Sequence, residues 1–408
     1  MAGESISKRR DVLGRYYTSD PVSALLVRAM NLATADTVLD LGSGDGALVA
    51  QASMRWSGAQ FHTVDIDEGA GCRRLAELDR STFRHHVGDA LDYRLPGHIG
   101  LAPGSVCAAV CNPPYIRPKW QRHFGSILEE AGLSDVLPRL GDAPADLLFI
   151  AQNLRFLRPG GKLGLIVPDG LISGERYQLF RSRLLQRHCV HEVIELPISV
   201  FRYTEAKAHI LVVSKEASPT LTTAVRRLSA DGRLSRAINV LRDQGERRLD
   251  YSHVAINQRT PRASTGAVEL RSLVESIARG TYSSSDRHAT RAPIVHTTDL
   301  GPSTTNIPVA LALTPKQAEA VSGPIAQPGD VLVARVGRNL HEKVARVTRG
   351  KYAVSDCLFV IRPMPGQAKR IHAFLRSPLG REHLAASAHG VGAKFITATA
   401  LGDLKVPL

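Results

Sequence analysis

Four polar residues recur at nearly constant spacing early in this chain. They are Asp40, Asp65, Asp89 and Asn112, separated by 25, 24 and 23 residues. Each closes a short strand-like run: residues 37–41, 60–64, 83–87 and 106–111 read as strands, and 47–56 and 70–79 as helices between them. Strands joined by crossovers this long do not form hairpins; they lie side by side as parallel strands of one sheet. All four polar residues then fall on the sheet's carboxyl edge, where open α/β folds bind ligands.

The pattern continues further along. Residues 146–156 read as a helix, Gly160 and Gly161 turn the chain into a strand at 162–167, and 177–186 is helical. Residues 190–196 and 208–214 are strands, the last expected to close the sheet. After Pro219 the chain becomes polar and Arg-rich, which puts a domain boundary in 217–250 and divides the chain into 1–220 and 221–408. The second part reads as short strands at 330–337, 352–354 and 358–361 with helices at 371–375 and 380–387. The expected fold class is α/β, a Rossmann-like sheet followed by a mixed α+β domain.

Charge divides along the same line. Residues 1–220 hold 25 Lys and Arg against 24 Asp and Glu, whereas 221–408 hold 27 against 14. An excess of +13 in one half favours a polyanionic partner through phosphate neutralisation. No apolar stretch reaches the roughly 18 residues of a membrane span, and residues 1–5 lack the apolar core of a signal peptide. Of the five cysteines, only Cys107 and Cys111 lie close together, so no zinc pattern forms and no metal is expected. Reduced thiols and no leader fit a cytoplasmic protein.

Two motifs carry chemistry. The first is the turn at Gly42, Gly44 and Gly46, where missing side chains let the backbone bend tightly and approach a ligand. Asp40 precedes this turn and Asp45 sits inside it. Carboxylates repel the phosphates that a dinucleotide turn would bind and suit a cation instead. The second motif is Asn112-Pro113-Pro114-Tyr115, directly after the strand at 106–111. Proline lacks an N–H and has a restricted φ, so two in succession make a stiff turn that presents the Pro113 carbonyl. Tyr115 offers a flat face, and base–aromatic stacking is worth roughly 1–3 kcal/mol. The plainer reading is an Asn-Pro turn after a strand.

In this order and spacing, the two motifs resemble the S-adenosylmethionine-dependent amino-methyltransferases, most closely the adenine-N6 DNA methyltransferases of gamma motif order. The resemblance implies a class I methyltransferase sheet and S-adenosyl-L-methionine as cofactor. It assigns the ribose hydroxyls to Asp65, with Asp67 as the neighbouring alternative, and the cofactor's adenine amino group to Asp89, which could equally cap a helix. Asp40, Gly42, Gly44, Gly46 and Asn112 complete the implied cofactor site, together with Tyr17 and Thr18 from a segment that packs over the methionine end. In this chain Pro21 follows that segment later than the family's proline does. Asn112, Pro113, Pro114 and Tyr115 are the implied catalytic set. Phe201 would add a second wall against the base, or else be a core phenylalanine at a strand edge.

The runs at 329–337 and 396–408 resemble target-recognition domains of restriction–modification systems. The implied function is site-specific methylation of adenine N6 in double-stranded DNA by base flipping, with a separately encoded endonuclease as a possible partner. Protein glutamine-N5 or RNA methylation could use the same tetrapeptide. A binding-only subunit with a dead catalytic domain is a further reading, and the intact tetrapeptide weighs against it.

Overall fold

The computed structural model describes residues 18–69, 74, 81–198, 200–201, 207–259, 266–283, 285–286, 292–390 and 393–407. The chain forms two compact units, Met1–Tyr251 and Ser252–Leu408.

The first unit is built on nine strands: β1 (Thr37–Leu41), β2 (Gln60–Asp65), β3 (Phe83–Val87), β4 (Val106–Cys111), β5 (Leu157–Pro168), β6 (Cys189–Glu195), β7 (Ala208–Ser214), β8 (Thr222–Arg227) and β9 (Ile238–Leu241). They lie in the order β3-β2-β1-β4-β5-β7-β6-β8-β9. The first five in that order are parallel, and β7 runs antiparallel to both β5 and β6. Helices α1 (Asp20–Ala29), α2 (Ala47–Arg55), α3 (Arg122–Glu130), α4 (Ala145–Phe156) and α5 (Gln178–Arg187) belong to this unit. All six residues of β4 are buried, which is why its sequence is a continuous apolar run and not an alternating one. Against β5, α1 packs very closely: a Cβ on Gly164 would lie 2.7 Å from Leu26 and 2.8 Å from Met30. Any side chain at this position would have to push the buried Leu26 and Met30 side chains aside.

Two expectations change. The segment 208–214 does not close the sheet; β7 sits inside it with all seven residues buried. The sheet is extended instead by β8 and β9, so the first unit runs past the division at 220 to Tyr251, at the far edge of the expected boundary region 217–250. β8 looks like a linker because its sequence is short and largely polar: it alternates half-buried and buried positions, and Arg226 pairs with Glu192 on β6 at 2.8 Å. The helix expected at 70–79 lies outside the described residues, apart from Arg74. A fragment of residues 1–251 should therefore melt cooperatively. A fragment of 1–220 loses both outer strands, exposes the edge of β6, and should melt lower and self-associate. Equal melting temperatures with both fragments monomeric would contradict this assignment.

The second unit contains β10 (Ala267–Glu269), β11 (Val274–Arg279), β12 (Ile294–Val295), β13 (Ile325–Ala326), β14 (Val331–Ala334), β15 (Val344–Arg346), β16 (Tyr352–Val354), β17 (Leu358–Pro363) and β18 (Lys405–Pro407). They form sheets ordered β11-β17-β14-β15, β12-β16-β13 and β10-β18. Helices α6 (Ala368–Arg376) and α7 (Pro378–Ser387) contribute Ile371, Leu375 and Leu384 to a core with Val331, Val333 and Ile361. The strand expected at 330–337 shortens to β14. Before it, Asp330 turns aside to accept two bonds from Arg362, at 3.1 and 2.9 Å. Among the described residues, no helix is long and apolar enough to cross a membrane.

Candidate active site

The chain leaves β1 through three glycines with positive φ: Gly42 at 72°, Gly44 at 55° and Gly46 at 81°. Other residues adopt this conformation only with strain. At Gly42 there is also a steric reason, since a Cβ there would stand 3.1 Å from the Phe149 ring. The turn is pinned from β2. Gly42 N–H donates to the Val64 carbonyl at 2.8 Å, and Gly44 N–H donates to Asp65 Oδ2 at 2.8 Å. Asp65 Oδ1 accepts the Asp67 N–H at 3.0 Å, so this one carboxylate holds two turns at once. Asp89 accepts the Leu91 N–H at 2.8 Å and caps a turn; no helix begins there.

These elements enclose a cavity of about 300 Å³ at the carboxyl edge of the sheet. Of the residues expected in the site, Thr18, Gly42, Gly44, Asp65, Asp89, Asn112 and Pro114 line it. Asp40, Gly46, Pro113, Tyr115 and Phe201 do not, and Tyr17 lies outside the described residues. Ile66, Phe124 and Phe149 also line the cavity. Ile66 is 60% exposed between two aspartates, an apolar side chain left open on the cavity wall. An apolar residue inside Asp65-Ile66-Asp67 was the one signal in the sequence that could have found it. Phe124 and Phe149 come from helices that carry no local mark.

Asp40 is 1% exposed, and neither of its carboxylate oxygens has a hydrogen-bond partner among the described residues. Burial, then the charges of Asp65 and Asp45, raise its carboxyl well above the usual range. A buried carboxylate amid other carboxylates fits a cationic ligand in the cavity and disfavours a phosphate. The raised folded-state value carries a definite sign. Asp40 lowers stability as pH climbs from its unfolded value of 3.8 through its folded one. Asp40→Asn should thus raise the melting temperature of the ligand-free protein at pH 7, with the gain shrinking towards pH 4. A gain that does not vary with pH, or a loss at pH 7, would count against this electrostatic reading.

Asn112 follows β4 directly, and its Nδ2 donates to Thr18 Oγ1 at 3.0 Å. Thr18 is 6% exposed and enters from ahead of α1, 94 residues away in sequence. The bond fixes the donor end of the amide on Thr18 and turns the acceptor, Oδ1, away from it. Tyr115 O–H donates to the Ile166 carbonyl at 3.4 Å, and its ring meets Phe201 edge-to-face at 6.5 Å and 89°. Phe201 itself is 3% exposed and belongs to the core that α1 shares with the sheet. In this conformation it backs Tyr115 and offers no open face of its own. Next to the cavity wall, burial pushes the Asp146 carboxyl up to about 7, a feature that no local pattern in the sequence marks.

The strand order, with β7 reversed between β5 and β6, together with an acidic cavity at the strand ends, defines a class I methyltransferase fold. Residues 5–244 match the N-6 DNA Methylase family, and the chain belongs to it. It is 24% identical over 218 residues to the type I restriction enzyme MpnII methylase subunit of Mycoplasma pneumoniae, a match covering 50% of this chain and 40% of that protein. It is 31% identical over 140 residues to the release factor glutamine methyltransferase of Gloeobacter violaceus, covering 33% of this chain and 46% of that one. The chain thus spans less than half the length of either relative. Among solved structures, the type IIG restriction endonuclease BpuSI superposes with a TM-score of 0.54 at 13% identity, over 97% of this chain and 59% of that chain. That likeness extends the shared fold across both units.

Proposed function

We propose that this chain methylates the N6 amino group of adenine in double-stranded DNA, using S-adenosyl-L-methionine, as the modification activity of a restriction–modification or related defence system. The observation that carries the reading is the Asn112 amide, fixed by Thr18 at the rim of a cavity lined by Asp65, Asp89 and the glycine turn. Membership of the N-6 DNA Methylase family supports it.

Bound in that cavity, S-adenosyl-L-methionine would supply a methyl group made electrophilic by its sulfonium. Its positive charges suit Asp40, Asp45 and Asp65, and Ile66 covers a flat ring. The chain's own task is to make a weak nucleophile reactive. The adenine amine is poor because its lone pair is delocalised into the ring. Two acceptors aimed at its N–H bonds, Asn112 Oδ1 and the Pro113 carbonyl, draw the nitrogen towards tetrahedral geometry and return the lone pair to it. Tyr115 supplies a stacking face worth roughly 1–3 kcal/mol, comparable with the few kcal/mol needed to flip a base. A separately encoded endonuclease is the proposed partner, supported by the restriction enzymes among the relatives.

Incubation with labelled cofactor and mixed-sequence duplex DNA, followed by nucleoside analysis, tests this. N6-methyladenine is the expected product; label found only in protein or only in RNA would refute it. Glutamine methylation is the second reading, favoured by the similarity to a release factor glutamine methyltransferase. A carboxamide nitrogen presents the same lone-pair problem. Against it stands the second unit, where residues 252–408 hold 20 Lys and Arg to 10 Asp and Glu. That charge suits a polyanion.

A further inference from the structure

One end of the four-stranded sheet in the second unit gathers cations. Both β11 and β14 run antiparallel to β17, pairing Arg279 with Phe359 and Ala334 with Leu358. The last residue of β11, the residue after β14 and the residues before β17 therefore meet at the same end. There Asp356 organises two guanidiniums. Arg279 Nη2 donates to its carboxylate at 2.7 Å, and Arg335 Nε donates to its main-chain carbonyl at 2.7 Å. Burial first, then the neighbouring Arg279 charge, lowers the Arg335 pKa below its usual value.

More positive charge flanks this pair. The connection from β14 to β15 carries exposed Arg338 and ends at Lys343, whose carbonyl accepts the Ala334 N–H at 3.0 Å. Val336 bridges to Phe395, and Gly337 N–H donates to the Lys394 carbonyl at 2.8 Å, which brings the 393–395 turn to the same end. Phe395 is 40% exposed. Close by, the His341 imidazole is held down by burial and, despite Glu342, by the charges of Lys394 and Arg381. Among the described residues of these segments, Arg279, Arg335, Arg338, Lys343 and Lys394 thus gather at this end with Asp356 and Glu342 as the acidic groups, and the Lys343 ammonium is itself held by the Thr297 carbonyl at 3.0 Å. At the opposite end, Arg362 is neutralised by Asp330 at 2.9 Å.

We propose that this end of the β11-β17-β14-β15 sheet is the surface with which the second unit grips the backbone of duplex DNA, with Arg279 and Arg335 as phosphate ligands held in place by Asp356. The inference rests on the DNA substrate proposed above. A guanidinium fixed on one side by an acceptor presents its remaining N–H groups with little ordering cost, which suits phosphate. The exposed Phe395 ring among these cations adds a surface for sugar or an unstacked base.

The test uses the full chain and duplex DNA across a range of salt concentrations. The variant Arg279→Gln/Arg338→Gln/Lys394→Gln should bind more weakly, and its log–log salt slope should become shallower by about 0.9 for each phosphate that the protein no longer neutralises. Cofactor affinity should stay within about twofold. A control, Arg349→Gln/Lys369→Gln, removes two exposed cations at the other end of the sheet and should leave the slope unchanged. Arg335→Gln alone, which removes no exposed ion pair, should also weaken duplex binding. The surface assignment is overturned if wild type methylates DNA and the triple variant keeps its slope. It is also overturned if the control flattens the slope equally, or if single-stranded RNA is bound in place of the duplex. A wild-type chain that methylates no adenine would instead overturn the functional reading beneath it.

Discussion

Asn112→Ala should reduce methyl transfer by about a hundredfold to a thousandfold, the usual consequence of losing one preorganised polar group beside a reacting atom. Cofactor affinity should change by no more than a few-fold. The reason is the direction of the amide. Its Nδ2 is bound to Thr18, which leaves its acceptor end for the substrate amine in the proposed reaction, and the glycine turn and Asp65 are held independently of it. The Thr18 bond extends the prediction. Thr18→Val keeps the shape and removes the hydroxyl, which frees the amide to turn over; it should cost a smaller, roughly tenfold loss in kcat, and Thr18→Ser should restore most of it. Single-turnover kinetics beside calorimetric cofactor titration separates the two effects. If Asn112→Ala lost the cofactor as severely as it lost turnover, Asn112 would belong to the cofactor site and not to the chemistry.

Asp65→Ala should show the converse, weakening the cofactor first. Its two oxygens accept the Gly44 and Asp67 N–H groups at 2.8 and 3.0 Å, and the residue is 6% exposed. Removing it strands two donors, each at roughly 1–3 kcal/mol when buried, and frees the turn that shapes the cavity. Cofactor affinity should fall by about a hundredfold or more, with turnover at saturating cofactor less affected. Asp65→Asn keeps one acceptor oxygen and should lie between alanine and wild type. Normal cofactor binding by Asp65→Ala would show that the turn is held without it and that the ligand does not touch this carboxylate.

The sequence revealed the strands in order, with 37–41, 83–87, 106–111 and 208–214 placed to the residue, because local patterning and strand-end polar residues mark them. It did not reveal β7's interior place. Sheet order depends on which edges find partners, and β7 reaches its position by an antiparallel return that no local pattern encodes. The boundary region of 217–250 is legible, but the division at 220 within it falls too early, because a strand such as β8, with polar residues on its half-buried face, resembles a linker in composition. Within the site, the glycine turn and the tetrapeptide were legible because backbone geometry demands glycine and proline there. Thr18's bond to Asn112 and the Phe149 ring over Gly42 were not, since both join distant parts of the chain. Of the two readings of Phe201, a wall for the base or a core phenylalanine, the buried position beside Tyr115 fits the second.

The proposed reaction acts on one atom, adenine N6, in one polymer. Its most direct test is methylation-sensitive sequencing of DNA from cells that express this chain, beside cells that express Asn112→Ala. Adenine N6 methylation confined to one recurring sequence context, present with wild type and absent with the variant, is the expected result. DNA without modified adenine in either culture, while labelled methyl groups accumulate on glutamine of a protein, would contradict it.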